Sequence, residues 1–311
     1  MAPRVLCVVG PTASGKTKMA VALARRFGGE VVSVDSMQIY RGMTIGTAAP
    51  TAAEMEGVPH HMIAVADPAE SWSVARFCQA ADGCIRDILA RGRLPVLAGG
   101  TGLYLDALIR GDDFAPGRQG GEVRLRLQRE LREQGPEALL ERLRTVDPET
   151  AGRLHLRDEK RILRIYEQTG GPMSLRDRRG RQRPDRYEAV YIGLNFRDRA
   201  DLRQRIDRRV DDMVRQGLLQ EEQDLLDSGL PRDATALQAI GYKQFLAVAD
   251  GAATTDQAVE EVKLRSRQYA KRQLTWLRRN PDIHWILWDR EPDFPAALQN
   301  ATDFLTAHGL G

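Results

Sequence analysis

The N-terminal stretch RVLCVVGPTASGKTKMA constrains the fold more than any other part of the chain. Residues Arg4 to Val9 are an unbroken apolar run, typical of a buried parallel strand, and Lys18 to Phe27 repeat apolar residues at helical spacing before two glycines. Between them, GPTASGKT fits the pattern G-x-x-x-x-G-K-[ST]. A strand, a glycine-rich loop and a helix in this order predict a parallel α/β core whose first loop binds phosphate. The alternative is an ordinary glycine-rich turn between a strand and a helix.

The predicted phosphate loop consists of Gly10, Pro11, Thr12, Ala13, Ser14, Gly15, Lys16 and Thr17. Its glycines let backbone N–H groups turn inward on an anion, and the start of the following helix adds partial positive charge. The lysine would neutralise an outer phosphate, and the threonine hydroxyl would ligate Mg²⁺, the one cofactor that the sequence suggests. The motif predicts phosphate binding but leaves open whether a nucleotide is split, a phosphoryl group is moved or a diphosphate is released.

Two further strands are predicted to end at the same crevice. Glu30 to Asp35 (EVVSVD) is an apolar run that ends in a carboxylate, and Leu94 to Ala98 (LPVLA) leads into GGTGLY, which contains Thr101. The carboxyl ends of parallel strands border the ligand crevice, so Asp35 should face the phosphate loop. It would hold Mg²⁺ through water, act as a general base or merely cap the next segment. The glycines after the third strand would let a ligand approach closely, and Thr101 would contact it or cap a helix.

Length and composition indicate a soluble globular protein. The chain has 311 residues, of which 42% are hydrophobic and 29% charged, and a net charge of +3. We expect an α/β core formed by residues 1–114 and 190–311, with a helical insertion at 115–189. In the insertion, the leucine pattern of Glu122 to Arg144 is broken at Gly135-Pro136. The core is expected to resume with a short strand from Val190 to Leu194.

The sequence also carries indications of the compartment. No apolar stretch approaches the length of a membrane span, and the chain reaches its first strand at once, leaving no room for a signal peptide. Cys7, Cys78 and Cys84 lack metal-ligand spacing and are expected to be reduced thiols; a Cys78–Cys84 redox pair is the alternative. We therefore expect a cytoplasmic protein with no membrane partner, and a monomer with no obligate protein partner.

The segments GPTASGKT, DSMQIYRGMTIGT and GGTGLYL together resemble the tRNA dimethylallyltransferase family of bacterial type. The similarity continues, in the order found in the family, through residues 155–170, 203–221, 239–244 and 270–277. It implies a P-loop NTPase-like, nucleotide-kinase-like parallel sheet with an inserted helical domain that contacts tRNA. It also implies the reaction, in which dimethylallyl diphosphate donates its dimethylallyl group to a tRNA anticodon stem-loop. The acceptor is N6 of the adenosine immediately 3′ of the anticodon, and diphosphate is released.

The resemblance assigns roles to individual residues. Asp35 would be the base, Lys16 and the loop amides would hold the diphosphate, and Thr101 would contact the target adenosine or its neighbouring phosphate. The implied tRNA contacts are Asp35, Ser36, Met37, Gln38, Thr101, Arg124, Lys160, Arg161, Ile162, Leu163, Arg164, Gln238, Ala239, Ile240, Gly241, Tyr242 and Lys243. The chain departs from the family at Arg157-Asp158-Glu159, where Asn-Asp is more common, and in the arginine-rich segment 171–186.

Basic residues are concentrated in the second half of the chain. Arg205 and Arg209 lie one helical turn apart and would either reach the diphosphate or form ion pairs with Asp201 and Asp212. Residues 259–279 are predicted to form a second helix rich in arginine. The basic face of a single helix is usually just solvated, but several such faces beside aromatic residues favour an RNA partner.

Three other functions remain open at this point. A small-molecule kinase would share the phosphate loop and the helical insertion, but it has no use for the ordered DSMQIYRGM, GGTGLYL and AIGYKQ segments. An isopentenyltransferase acting on free adenine nucleotides would share the chemistry, and the long basic second half argues against it. A non-catalytic P-loop RNA-binding protein would bind phosphate and RNA, and its output would survive the loss of Asp35.

Overall fold

The computed structural model describes residues 2–111, 122–159, 161–163, 165 and 185–310, without the side chains of residues 122–124 and 146. The predicted tRNA contacts Lys160 and Arg164 and the side chain of Arg124 lie outside the described residues. The chain forms two compact units, Met1–Gly111 with Asp185–Gly311, and Asp112–Pro184. These ranges run close to those expected for the core and the insertion, and a role of the smaller unit in tRNA binding stays a prediction.

The larger unit is built on a six-stranded parallel sheet. Its strands are β1 Arg4–Val9, β2 Gly29–Val34, β3 His60–His61, β4 Leu94–Gly99, β5 Glu188–Phe196 and β6 Ile283–Trp288. They are arranged in the order β3-β2-β4-β1-β5-β6. Because β1 lies inside the sheet, Val5 to Val9 are fully buried, which explains the unbroken apolar sequence. The predicted strands β1, β2, β4 and β5 are confirmed.

Helices cover the sheet and form the second unit. In chain order they are α1 Lys16–Arg26, α2 Ala52–Met55, α3 Val74–Ala90, α4 Gly102–Arg110, α5 Glu122–Val146, α6 Pro148–Gly152, α7 Arg199–Arg215, α8 Leu218–Asp227, α9 Tyr242–Ala249, α10 Thr255–Leu277 and α11 Phe294–Ala307, with a 3₁₀ turn at Ala236–Gln238. Side-chain caps fix several helix starts: Ser73 accepts from the N–H of Arg76 in α3, and Thr254 and Gln257 form a capping box in α10. Apolar residues of α1 and α11 join the strands in the main core.

The register of the three central strands brings their ends together. Val9 of β1 and Val34 of β2 are both paired with Gly99 of β4, so the three residues form one row across the sheet. Gly10, Asp35 and Gly100 therefore leave the sheet side by side at its carboxyl edge. Neighbouring strands are about 4.8 Å apart, so the phosphate loop and Asp35 start about 10 Å from each other. This edge is where the candidate site lies.

The second unit has a small apolar core of its own. The predicted break in its first helix is confirmed, because Gly135 in α5 has a left-handed backbone (φ 76°) and Pro136 follows. The core residues are Leu127, Leu139, Leu140, Leu143, Ala151, Ile162, Leu163 and Ile165. The side chains of Ile162 and Leu163, which the family resemblance assigns to tRNA binding, are thus committed to this core. Any contact of these two residues with RNA would have to come from backbone atoms.

Within the larger unit, the segment before residue 111 is hydrogen-bonded to the segment that begins at residue 185. The backbone N–H groups of Arg186 and Tyr187 donate to the carbonyl of Ile109, at 2.8 and 3.3 Å. The Tyr187 hydroxyl and the Arg186 guanidinium both donate to the Asp82 carboxylate on α3, at 2.5 and 2.9 Å. Two segments that are 77 residues apart in sequence (186 − 109) are therefore tied together at one point of the larger unit.

Two further properties concern the chain as a whole. Cys7 and Cys84 carry free thiols, and Cys7 is buried in β1, where burial raises the pKa of its thiol. Within the described part of the chain, no helix combines the length and the apolar character that crossing a membrane requires.

Candidate active site

The phosphate loop connects β1 to α1 and holds a lysine that is ready to take up charge. Lys16 is the first residue of α1, and its ammonium donates to the carbonyl of Pro11 at 2.7 Å. Burial lowers the pKa of Lys16 to about 7, the positive charge of Arg209 acts in the same direction, and the Asp35 carboxylate opposes both. The Ser14 hydroxyl is buried without a hydrogen-bond partner among the described residues. An orphaned hydroxyl and a desolvated lysine fit a loop whose partner is an anion.

Two side chains from distant parts of the chain hold this loop in shape. The Gln273 amide, on α10, accepts from the N–H of Thr12 at 2.8 Å and donates to the carbonyl of Gly100 at 3.1 Å. The Trp288 indole, at the end of β6, donates to the carbonyl of Ser14 at 2.8 Å. Gln273 is almost fully buried, and it links the phosphate loop directly to the loop after β4. It was not foreseen as a site residue.

Two cavities meet above this edge of the sheet. The larger, of about 610 Å³, lies over the phosphate loop and is lined by Lys16, Thr17, Arg205 and Gln38. The smaller, of about 300 Å³, is lined by Ser36, Met37 and residues 238–241. The residues that line both are Thr12, Asp35, Thr47, Arg209, Met213 and Tyr269. The two cavities are therefore neighbours, and Asp35 lies where they adjoin.

Asp35 caps its own turn with one of its two carboxylate oxygens. One carboxylate oxygen, Oδ1, accepts from the N–H groups of Met37 at 2.8 Å and Gln38 at 3.4 Å, which makes the turn-capping geometry real. The other oxygen, Oδ2, makes no hydrogen bond to the described residues. One oxygen thus fixes the carboxylate, and the other remains available to a ligand in either cavity.

Tyr269, on α10, is a phenol whose pKa is affected by the charge of Asp35. Burial and the negative charge of Asp35 raise the pKa of Tyr269 to about 12, against the effect of hydrogen bonding with Thr101 and Gln273. Tyr269 therefore stays protonated at neutral pH and presents a hydroxyl donor where the two cavities adjoin.

Arg205 and Arg209 point into the larger cavity from α7. Among the described residues, neither forms an ion pair with Asp201 or Asp212, which the sequence left as an alternative; the recorded partner of Asp212 is Arg215. The Arg205 guanidinium lies 3.4 Å from the carbonyl of Ala13, next to the phosphate loop. Burial lowers the pKa of Arg209, while the charge of Asp35 raises it. The arrangement places two cations beside the lysine with no carboxylate paired to them.

The glycines of the GGTG loop after β4 make room for side chains of α10. A Cβ on Gly100 would overlap the amide of Gln273, and a Cβ on Gly102 would overlap the indole of Trp276. Trp276 is held there by a 3.1 Å hydrogen bond from its indole to Asp106. Gly100 also lines the larger cavity, so the close approach of a ligand to this loop stays a prediction.

Thr101 occupies the N-cap position of α4 and lines neither cavity. Its side chain makes no capping hydrogen bond, so the alternative of a side-chain cap is wrong. Its hydroxyl is buried without a well-aligned partner among the described residues, although it lies close enough to the Tyr269 phenol to act on its pKa. A contact between Thr101 and the acceptor stays a prediction.

The remaining predicted tRNA contacts are divided between surface and interior. Ser36, Met37 and residues 238–241 line the smaller cavity, and Lys243 and Arg161 are exposed. The Gln38 amide is already occupied by Ser33 and by the carbonyls of Thr47 and Ala48. Tyr242 is fully buried. For these last two residues, an internal role is the one that the geometry supports.

The residues around the larger cavity fit a magnesium ion only together with a ligand. Among the described residues, no group of three or more His, Cys, Asp or Glu side chains is placed to hold a metal. Mg²⁺ keeps several waters and usually takes one or two protein oxygens plus phosphate oxygens. The Thr17 hydroxyl and the Asp35 carboxylate, which both line the larger cavity, are donors of this kind.

The parallel sheet carries a phosphate loop with Lys16, Arg205 and Arg209 beside it, and the Asp35 carboxylate lies where two cavities adjoin. These features define a P-loop protein that binds an anionic substrate next to a second ligand. Comparison with protein families gives the particular one. The model for IPP transferase matches residues 38–280, and the model for isopentenyl transferase matches residues 3–65. The chain belongs to the IPP transferase family.

Individual relatives match over nearly the whole chain. The chain is similar to tRNA dimethylallyltransferase from Geobacillus thermodenitrificans, with 47% identity over 92% of this chain and 91% of the relative. The corresponding protein from Acetivibrio thermocellus is 40% identical over 98% of both chains. A tRNA isopentenylpyrophosphate transferase from Bacillus halodurans has a similar solved structure, with a TM-score of 0.73, 42% identity and coverage of 98% of this chain and 96% of that chain.

A more distant relative shares the same architecture. The structure of a eukaryotic dimethylallyltransferase acting on tRNA matches with a TM-score of 0.82 and 29% identity, covering 98% of this chain and 80% of that chain. The P-loop NTPase-like α/β fold expected from the sequence is confirmed by these structures and by the parallel sheet. The suspected family is confirmed as well.

Proposed function

We propose that this protein transfers a dimethylallyl group from dimethylallyl diphosphate to N6 of the tRNA adenosine immediately 3′ of the anticodon, releasing diphosphate. The observation that carries the proposal is the position of Asp35 between two adjoining cavities. One cavity is lined by the phosphate loop and by cations, as a diphosphate requires, and the other is lined by Ser36, Met37 and residues 238–241. A transfer between two substrates needs such a pair of cavities with the reacting group at their border.

The leaving group is held by the phosphate loop. As the allylic C–O bond breaks, negative charge builds on the diphosphate, and Lys16, Arg205, Arg209 and the loop amides stabilise it. Thr17 would hold Mg²⁺, which when bound neutralises further charge on the diphosphate. Because the basic side chains around the larger cavity stabilise the departing diphosphate as a whole, no phosphoryl group need move to an acceptor.

Asp35 acts on the nucleophile. The exocyclic amine of adenine is a poor nucleophile because its lone pair is delocalised into the ring. The amine nitrogen forms the new N–C bond, and its proton passes to Oδ2 of Asp35, the oxygen that the turn does not use. Tyr269, which remains a neutral hydroxyl, borders both cavities and helps to orient the two substrates.

The acceptor enters through the smaller cavity. A base inside an RNA stack cannot reach Asp35, so the adenosine must leave its stack and insert between residues 36–37 and residues 238–241. The predicted contacts of Thr101, Arg161 and Lys243 would bind the flanking nucleotides. Phosphate contacts from arginine and lysine would make the affinity for tRNA depend on salt. We place the enzyme in the cytoplasm, as a monomer.

The free-nucleotide alternative shares the prenyl-transfer chemistry, and the model for isopentenyl transferase matches residues 3–65. This range covers the phosphate loop and Asp35 but not residues 238–241. A direct comparison of acceptors decides between the two functions.

Transfer of label from dimethylallyl diphosphate is the test. Purified protein with Mg²⁺ is incubated with the labelled donor and either unmodified tRNA or AMP. We expect label in tRNA alone. Label in AMP alone would establish the free-nucleotide enzyme, and no label in either would refute prenyl transfer.

Asp35→Asn and Asp67→Asn form the matched pair of variants for this assay. Both residues accept a backbone N–H two residues ahead through Oδ1, but Asp67 lies in an exposed turn away from both cavities. We expect Asp35→Asn to lower the transfer rate by at least about a hundredfold while diphosphate still binds, and Asp67→Asn to behave as wild type. An undiminished rate in Asp35→Asn would reduce Asp35 to a turn residue.

A further inference from the structure

The carboxylate of Glu221, on α8, is saturated with hydrogen bonds from a single turn. It accepts from the N–H and the hydroxyl of Thr44 at 2.8 and 2.7 Å, and from the N–H groups of Ile45 and Gly46 at 2.8 and 3.0 Å. It also accepts from the Tyr242 hydroxyl on α9 at 2.5 Å. Donor and acceptor lie about 175 residues apart in sequence, so the contact is purely tertiary. One side chain therefore fastens the 43–48 loop, defined as residues 43 to 48, to two helices.

The fit around this carboxylate is tight. Tyr242 is fully buried, and a Cβ on Gly46 would lie 2.5 Å from its ring and 2.8 Å from Leu218. The turn can approach the helices only because Gly46 has no side chain. The family resemblance assigns Tyr242 to tRNA binding, but its hydroxyl donates a hydrogen bond to Glu221 inside the protein.

Glu221 is held in its charged form by these donors. Burial is the largest single influence and acts to raise its pKa, but the hydrogen bonds from Ile45, Tyr242, Gly46 and Thr44 together lower the pKa below its ordinary value. The pKa of Tyr242 is raised, mainly by burial and also by Glu221, so it remains a donor at neutral pH.

The other side of the same loop is fastened to the Asp35 turn. The Gln38 amide donates to the carbonyls of Thr47 and Ala48 at 3.2 and 3.1 Å, and the Ser33 hydroxyl fixes its orientation at 2.8 Å. Gln38 lies three residues after Asp35 in that turn, and its N–H is one of the two that bind the Asp35 carboxylate. A continuous set of hydrogen bonds thus runs from Asp35 through the 43–48 loop to Glu221.

The 43–48 loop forms part of the wall of both cavities. Thr44 and Ile45 line the larger one, Gly46 lines the smaller one, and Thr47 lines both. We propose that Glu221, with Tyr242, is a positioning residue that sets this wall relative to Asp35 and so aligns donor and acceptor for transfer. The proposal rests on the proposed function for its catalytic part; the attachment of the loop itself stands independently of it.

Glu221→Gln removes the attachment with the least change in shape. Its amide NH₂ would face backbone N–H donors, so at least one of them loses its acceptor. Tyr242→Phe is a milder variant that removes one donor and leaves the backbone contacts. Glu222→Gln is the matched control, because Glu222 is the next residue of α8 and is buried, yet its Oε1 has no hydrogen-bond partner among the described residues.

The first measurement is hydrogen exchange of backbone amides by mass spectrometry on the full-length protein. In Glu221→Gln we expect faster exchange in peptides that cover residues 43–48 and unchanged exchange in those that cover the phosphate loop. Glu222→Gln should exchange as wild type in both. Unchanged exchange at 43–48 in Glu221→Gln would overturn the proposal, whatever reaction the protein catalyses.

The second measurement distinguishes an effect on the alignment of the two substrates from an effect on diphosphate binding. We expect Glu221→Gln to lower kcat for prenyl transfer by about tenfold to a hundredfold and Tyr242→Phe by less, while Kd for inorganic diphosphate stays within about twofold. A loop that moves with kcat unchanged would refute the positioning role, as would a loss of diphosphate binding equal to the loss of rate. If wild-type protein transfers no label, the proposed function has failed and the exchange result still decides the attachment.

Discussion

Lys16 is a residue whose charge should depend on whether an anionic ligand is bound. Its surroundings lower the pKa to about 7, because burial and Arg209 both disfavour the ammonium form. An incoming diphosphate would reverse this balance, since a dense negative charge next to the amine stabilises the proton. The lysine of the phosphate loop is therefore expected to take up a proton as the anion binds at any pH above its own pKa.

The first prediction concerns this proton uptake. Above pH 7, binding must protonate Lys16, so Kd for diphosphate should rise by up to about tenfold per pH unit beyond the change due to diphosphate's own ionisation. Titration calorimetry between pH 7 and pH 9 measures it, with Lys16→Met as the variant that lacks this component. Arg26→Met, which removes an exposed charge from the same helix, should keep the full slope. Parallel slopes for wild type and Lys16→Met would contradict the assignment.

The lowered pKa of Lys16 also determines the direction in which the free energy of unfolding changes with pH. The pKa of Lys16 in the folded chain lies below its ordinary value of 10.5, so burying the charged amine destabilises the ligand-free fold below pH 7. The free energy of unfolding should gain from this residue as the pH rises from 7 towards 10.5.

Gln273 is the subject of the second prediction. Gln273→Met leaves the Thr12 N–H and the Gly100 carbonyl without partners in the interior, so we expect a loss of about 1–3 kcal/mol in the free energy of unfolding. KM for dimethylallyl diphosphate should rise about tenfold, because the phosphate loop loses one of the two side chains that hold it and keeps only Trp288. Gln268→Met, at an exposed position of α10, is the control. Denaturant titration measures the stability and steady-state kinetics measure KM. An unchanged KM would show that Gln273 does not influence substrate binding by the phosphate loop.

At the scale of elements, α10 shapes the site by packing against a loop of glycines. Gln273 and Trp276 lie on the face of this helix that meets Gly100 and Gly102, and each occupies the space where a Cβ would be. The amide of Gln273 is the flexible end of a side chain, whereas the indole of Trp276 is rigid and is hydrogen-bonded to Asp106. The two glycines should therefore differ in their tolerance of substitution.

The third prediction follows from this difference. Gly102→Ala should destabilise the protein by about 1–3 kcal/mol, because the indole has nowhere to move. Gly83→Ala, in the middle of α3 with open space at its Cβ position, should instead stabilise by about 0.5–1 kcal/mol through helix propensity. Chemical denaturation of both variants gives the comparison. A Gly102→Ala protein as stable as wild type would mean that α10 can shift away from the loop.

Sequence reasoning succeeds where the cause is local and fails where a contact joins distant segments. The strands, the phosphate loop and the break at Gly135 follow from apolar runs, glycine pattern and proline chemistry within a few residues. The placement of Asp35 beside the loop follows from topology alone, because strands of one parallel sheet end at one edge.

Gln273 and Glu221 carry no such signal. Their partners lie 261 and about 175 residues away, so a glutamine or glutamate on an amphipathic helix reads as an ordinary polar residue. The glycines after β4 predict the close approach of a ligand, and their contacts with Gln273 and Trp276 depend on tertiary packing that the local sequence does not reveal.

For the whole molecule, the main feature is that the larger unit is complete without the smaller one. It contains all six strands of the sheet, and the hydrogen bonds from Arg186 and Tyr187 to Ile109 close it where the chain departs. A connection of a few residues would span the same gap. The larger unit should therefore fold by itself and keep its phosphate loop.

The fourth prediction replaces residues 112–184 with a short Gly–Ser linker. We expect the shortened protein to bind diphosphate within about twofold of wild type and to lose most of its affinity for tRNA, with a smaller salt dependence of what remains. Calorimetry with diphosphate and tRNA binding at several salt concentrations measure both. Full tRNA affinity in the shortened protein would assign recognition to the larger unit alone.

The central position of β1 has a consequence for how the protein is made. β1 is the first strand of the sheet to be synthesised, yet its two neighbours begin at residues 94 and 188. At ordinary rates of translation, on the order of ten seconds or more pass between the synthesis of β1 and that of β5. During this wait, the five valine, leucine and cysteine side chains of β1 that are buried in the folded protein lack one of their two neighbouring strands. A nascent chain with such an unpaired apolar segment is a natural client for ribosome-associated chaperones. The phosphate loop at the end of β1 can take its final shape only after Gln273 and Trp288 have also been synthesised, so diphosphate binding reports that synthesis has passed β6.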